Sequence, residues 1–292
     1  MNVRERAGGR ANDGMAGRGG DYKQGSESSP RGRTDVRRFR ATVEYDGTDF
    51  AGFQVQPGAR TVQGVLEAAL ARLSGGTRQP VDGAGRTDAG VHATGQVVAF
   101  SYGGPLSTEA LTEALNGNLP RDVAIRDLRP APKGFQPRRA ARWREYRYTI
   151  WNGPRSPLRD RTSLRVRSPL DTAAMARAGA LFEGRHDFSA FGGADPQPVR
   201  AIHRVRVRRV GNEVTIDVRA DAFLRGMVRR IVAALIAVGR ARTDEGAIRA
   251  ALAAREPAFG GAAAAARGLC LRRVALGRRR RDIEDMRDIE DQ

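Results

Sequence analysis

One cysteine, Cys270, stands in a chain of 292 residues. No disulfide can therefore close within it, and that fits a reducing, cytoplasmic setting. The three histidines, His92, His186 and His203, lack metal-ligand spacing with one another or with Cys270. No apolar run approaches the length of a membrane span, and the N-terminus lacks the apolar core of a signal peptide. Lysine is nearly missing: of 51 cationic residues only Lys23 and Lys133 are lysine. Codon usage in a GC-rich genome would explain arginine over lysine. It does not explain the excess of cations over acids, a formal charge of +18. Such an excess commonly accompanies polyanion binding. Arginine also forks onto phosphates and stacks on bases.

The length suggests one large or two modest domains. Residues 1–36 are rich in Gly, Arg, Ser and Asp and hold almost no aliphatic side chains, so a disordered arm is expected there. A strand is predicted over 39–45, then a turn at Asp46-Gly47-Thr48. Thr61 is placed to cap a helix that puts Val62, Val65, Leu66, Ala69 and Leu73 on one face. Strands at 94–102 and 122–128 flank a helix at 107–117. A linker-like segment follows Pro130 and Pro132. The second part predicts a strand at 143–151, a helix at 171–183, and a hairpin of 203–210 and 213–220 around Gly211-Asn212. A helix at 223–239 carries a broad apolar stripe, Leu224, Met227, Val228, Ile231, Val232 and Leu235. A short helix near 244–254 and a strand near 269–276 precede a charged tail, 278–292. Strands and helices alternate in two parts, 37–135 and 136–277. An α+β fold is expected, with helices on one face of the sheet.

The stretch Gly83-Ala84-Gly85-Arg86-Thr87-Asp88-Ala89-Gly90-Val91-His92 holds a lone carboxylate between glycines. It is not a Walker loop, since no Gly-Lys-Ser/Thr follows. It is not a dinucleotide fingerprint, since Asp88 stands where the third glycine belongs and would repel a pyrophosphate. No second acid stands near for a paired-carboxylate hydrolase, and there is no Gly-x-Ser-x-Gly elbow. Two readings remain on pattern alone. One is a structural turn with a capping aspartate. The other is a carboxylate nucleophile, which would need a cation nearby to keep it ionised. Arg86, Arg225 and Arg229 are candidates for that cation, although a solvated helix face accounts for any single arginine of the 223–239 helix. The run Trp143-Arg144-Glu145-Tyr146-Arg147-Tyr148 interleaves aromatics with arginines. That suits base stacking and phosphate contact, or equally core aromatics alternating with surface charges.

GRTDAGVHATGQV at 85–97 closely resembles the signature of the TruA family of tRNA pseudouridine synthases. Matching blocks follow in order: EYDGTDFAGFQVQ at 44–56, TVQGVLEAAL at 61–70, ALNGNLPRDVAI at 114–125, FQPRRAARWREYRYTIWN at 135–152, GRHDFSAF at 184–191, FLRGMVRRIV at 223–232 and GLCLRRV at 268–274. The resemblance spans roughly 39–276. It implies two ferredoxin-like halves joined in a continuous, mainly antiparallel sheet. It implies isomerisation of uridine to pseudouridine at positions 38, 39 and 40 of the tRNA anticodon stem-loop by a cytoplasmic homodimer, with no cofactor and no metal. Asp88 matches the catalytic aspartate, Tyr146 the tyrosine against the target base, and Arg229 the arginine paired with the acid. Arg86 matches the basic residue that helps turn out the nucleotide, and Arg144 is expected on the substrate. Gln136 replaces a frequent histidine, Leu276 a frequent tyrosine, and the alanines of the 260s a frequent proline. A catalytically silent tRNA binder on the same scaffold is the alternative; it would have no need of Asp88, Tyr146 and Arg229 together.

Overall fold

The computed structural model describes residues 36–254 and 261–277. All but the last residue of the expected arm, and the whole expected tail, lie outside them. The first run of elements is β1 (Arg37–Tyr45), α1 (Val62–Leu73), β2 (Asp82–Gly83), β3 (His92–Tyr102), α2 (Thr108–Asn118) and β4 (Val123–Pro130). A short helix α3 (Pro137–Ala140) falls within the segment expected as a linker. The second run is β5 (Ala141–Trp151), α4 (Pro157–Asp160), β6 (Leu164–Arg165), α5 (Thr172–Ala180), β7 (Gly184–Asp187), β8 (Val199–Val210), β9 (Glu213–Ala220), α6 (Met227–Gly239), α7 (Glu245–Ala254) and β10 (Leu269–Leu276).

The strands form one sheet in the order β4-β1-β3-β10-β5-β9-β8-β7, with β2 on β3 and β6 on β5. Both runs follow the ferredoxin order. In the first it reads β4-β1-β3-β2, in the second β10-β5-β9-β8. Strand β2 is only two residues long and covers β3 only at Val98 and Ala99. The rest of that edge is open to β10, which pairs in parallel at Cys270↔His92 and Leu271↔Ala93. The other pairings along the main path are antiparallel. The expected α+β architecture is thus present, and the two runs meet at the β3–β10 seam.

Cross-strand partners point to the same side of a sheet. One row, Val123, Tyr45, Ala93, Leu271, Tyr146, Val218 and Val205, crosses seven strands, and every member is buried. Helix α5 packs on β8 over this face, and its Gly179 lies close against Val205. Tyr146 sits in the middle of the row, beside the seam.

Local chemistry explains most element boundaries. The Thr61 side chain accepts from Gly64 N at 3.2 Å and caps α1 as expected. Asp171 caps α5 through Ala173 N and Ala174 N, both at 2.9 Å. Helix α6 begins four residues later than its apolar stripe predicts. Gly226 adopts φ 71°, a left-handed conformation that stops a right-handed helix from extending backward. Leu224 is still buried, but from the preceding loop, and Arg225 belongs to that loop rather than to the helix.

Candidate active site

Residues 84–91 arch from the end of β2 to the start of β3, and many hydrogen bonds fix the arch. Ala84 N donates to Val97 O (2.8 Å), and Phe53 N donates to Thr87 O (3.1 Å). Gln96 Nε2 donates to Gly85 O (2.9 Å). The Tyr45 hydroxyl and Thr87 Oγ1 are 2.8 Å apart. Gly90 N reaches Phe50 O at 3.3 Å, and Val91 N closes a turn on Asp88 O at 3.2 Å. At the far end His92 Nδ1 accepts from Gly47 N (3.0 Å), while Nε2 faces Arg161 O and Arg267 O. A carboxylate on such a mount keeps its place while a ligand moves.

The second run supplies its surroundings. The Asp88 carboxylate lies 3.6 Å from Arg229 Nη1, with side chains 35% and 24% exposed. Water therefore screens the pair in part. Arg229 stands in the first turn of α6. Its Nε donates to Ala264 O (2.7 Å), and its own carbonyl accepts from Ala264 N (3.0 Å). Tyr146 is buried and meets Phe223 edge to face, ring centroids 5.1 Å apart. Burial pushes its hydroxyl up to about 12. Arg144 works against that shift, and the Asp88 charge adds to it. The phenol is thus neutral at physiological pH.

These groups line one cleft of about 1280 Å³. Asp88, Tyr146, Arg229 and Arg86 all border it, as do Arg138, Arg225 and Arg230. Arg144 borders it too, but its guanidinium is bonded to the backbone carbonyls of Ala84 and Asp221. Arg147, next but one to Tyr146's neighbour Glu145, faces the other side of β5 and pairs with Asp217 at 2.7 and 2.9 Å. Among the described residues no cluster of His, Cys, Asp and Glu could hold a metal, and no helix is long and apolar enough to cross a membrane.

A family model described as tRNA pseudouridine synthase matches residues 41–138 and 178–275. The chain belongs to this family. It is 46% identical over 244 residues to the tRNA pseudouridine synthase A of Moorella thermoacetica, covering 81% of this chain and 98% of that one. It is 43% identical to the protein of the same name from Myxococcus xanthus, covering 81% and 91%. With that of Geotalea uraniireducens the identity is 42%, covering 81% and 98%. The matched residues take in the whole arch that carries Asp88 and also Tyr45, Gln96, Phe223 and Arg229. Residues 139–177, with Tyr146 and Arg144, lie between the two matched blocks of the family model.

The sequence singles out Asp88, Tyr146, Arg86 and Arg229, which border one cleft, but not the groups that hold them. Tyr45 reaches Thr87 across 42 residues of sequence, and Arg144 reaches Asp221 across 77. No local pattern announces contacts so distant. Phe223 carried a signal, since it opens the matching block at 223–232, but the apolar stripe assigned it to a helix.

Proposed function

We propose that this protein isomerises uridine to pseudouridine at positions 38, 39 and 40 in the anticodon stem-loop of tRNA, with Asp88 as the attacking group. The observation that carries the reading is the Asp88 carboxylate 3.6 Å from Arg229 and beside buried Tyr146, in an arginine-bordered cleft of a chain from this family. A target base inside a helix is out of reach, so the nucleotide must turn out, at a cost of a few kcal/mol of stacking, approximately. Arg86 lies at the cleft border to assist that step. Tyr146 and Phe223 form an aromatic wall for the extruded uracil. Asp88 attacks the base or the sugar C1′, and the N1–C1′ bond breaks. The uracil rotates, C5 bonds to C1′, and the bond to Asp88 breaks to return the free carboxylate. C5 then loses its proton and N1 gains one, so atoms balance with no co-substrate. The chemistry calls on no cofactor or metal.

The same reading takes 37–135 and 136–277 as two halves of one catalytic unit, acting as a cytoplasmic homodimer along a basic surface. Support comes from the two ferredoxin-like runs and the net charge of +18. The deciding experiment incubates the purified protein with anticodon-arm RNA, without added cofactor, and maps pseudouridine. Asp88→Asn should form none while binding tRNA within about threefold of wild type. Wild-type turnover by Asp88→Asn would sink the assignment. Binding without any product from the wild type would favour a silent tRNA binder.

A further inference from the structure

We infer that Arg144 is a positioning residue, which sets the distance between Asp88 and Arg229 rather than gripping RNA. The inference rests on the proposed function. Arg144 stands on β5 and is 8% exposed. Its Nε and Nη2 both donate to Ala84 O, at 3.2 and 2.5 Å. Its Nη1 donates to Asp221 O at 2.8 Å. One planar cation thus spans two backbone segments. The first begins the arch that carries Asp88, four residues on. The second leads into α6 and Arg229, eight residues on.

Both anchor points are themselves fixed. Ala84 is fully buried and donates its own N–H to Val97 O. Asp221 N donates to Ala201 O at 3.1 Å, and the Asp221 carboxylate accepts from Ala201 N and Ala222 N. Gly193 N then holds Arg225 O at 2.9 Å, just before α6. A continuous line of bonds therefore runs from β8 through Arg144 to the Asp88 arch. The arch lies against the guanidinium itself, since a Cβ on Gly85 would meet Arg144 Nε at 3.3 Å. The tethers from Gln96, Tyr45 and Phe53 bind the arch to the first run of strands. Arg144 binds it to the second run, which holds Arg229 and Tyr146. A phosphate could claim this guanidinium only by leaving the buried Ala84 carbonyl and the half-buried Asp221 carbonyl without it, and that is costly. Lysine, a single charge on a flexible stem, cannot hold two carbonyls in one plane.

The test uses the full-length protein and the variants Arg144→Gln and Arg144→Lys. Turnover is read at saturating tRNA as tritium released from C5-labelled uridine. Affinity is read separately at several salt concentrations, and the stoichiometry of tRNA binding gives the folded fraction. Displacing a reacting group by an ångström costs about 100-fold in rate. Arg144→Gln should therefore lose roughly 10- to 100-fold in kcat per folded molecule. Its Kd for tRNA should stay within about threefold and its salt slope should not change, because no phosphate contact is lost. Arg144→Lys should recover part of the rate. A Kd raised about tenfold with a shallower salt slope and unchanged kcat would mean a phosphate contact, and would overturn the inference. So would unchanged kcat in folded Arg144→Gln, or a rate that falls only in step with the folded fraction. An inactive wild type would instead fail the proposed function itself.

Discussion

Replacing Gly95 with alanine puts one methyl group into the β3–β10 seam. Gly95 lies on β3, and its backbone is not in the left-handed region, so any effect is steric. A Cβ there would stand 2.2 Å from Arg272 O and 2.8 Å from Arg272 C. The first contact is about 0.8 Å short of 3.0 Å, the closest approach real Cβ atoms make. The obstacle is backbone, so no side chain can swing aside. The carbonyl is where it is because the β5–β10 register shifts between Leu271 and Arg273, and that bulge turns Arg272 toward β3. Overpacking of this kind costs about 1–3 kcal/mol. At about 2–4 °C per kcal/mol for a domain of this size, Tm should fall by about 2–12 °C. Gly117→Ala is the control. Gly117 lies in α2 with nothing within 4 Å, so added helix propensity should hold or raise Tm, by up to about 1 kcal/mol of stability. The seam also carries Leu271, which joins Ala93 to Tyr146. Gly95→Ala should therefore lose kcat well below its own Tm, while Gly117→Ala keeps wild-type turnover. Calorimetry and tritium release read the two effects. A Gly95→Ala protein that melts and turns over like wild type would refute the close approach and the coupling drawn from it.

Arg229→Ala should lower kcat by at least about tenfold, because it removes both the cation near Asp88 and the bond to Ala264 O. Arg229→Lys should keep part of the rate, and equal turnover by all three proteins at saturating tRNA would contradict the pairing. Alkaline pH should unfold the protein. Burial raises the hydroxyls of Tyr45, Tyr146 and Tyr148, that of Tyr146 to about 12. The folded state favours the neutral phenols, so this stability is complete below the ordinary tyrosine value near 10 and is lost as pH rises from there through about 12. Tm measured from pH 9 upward should drop less steeply for Tyr146→Phe than for wild type, and identical slopes would count against burial of that ring.

Features written in neighbouring residues were legible in the sequence. Thr61 and its helix, the Gly211-Asn212 hairpin and the glycine-flanked Asp88 all depend on short-range chemistry, and each stands where it was expected. The start of α6 was misplaced because Phe223 and Leu224 prolong the apolar stripe, while one left-handed glycine decides the boundary. Strands β2 and β7 are too short to show an alternation. In β5 the interleaved arginines and tyrosines left two readings open, base stacking with phosphate contact or core aromatics alternating with surface charges. The period of two separates them: Arg144, Tyr146 and Tyr148 are buried together, whereas Arg147 pairs with Asp217 on the opposite face. That parity was available in the sequence. What it could not supply was the acceptor for Arg144, since the carbonyl of Ala84 lies 60 residues away.

The shortness of β2 links the fold to the chemistry. A full-length second strand would cover the edge of β3 and leave no place for β10. Ending after Asp82-Gly83 does two things at once. It exposes His92 and Ala93 to β10, which joins the two runs of strands. It also releases residues 84–91 from the sheet, so that they arch over the seam with Asp88. The acid then comes from one run, while Arg229, Tyr146 and Phe223 come from the other. Neither run holds the whole set, and their junction at the seam brings Asp88 to 3.6 Å from Arg229. A perturbation of the seam should therefore act on turnover before it acts on RNA affinity. The arginines along the cleft border sit on their own elements and need no such precision to attract a phosphate.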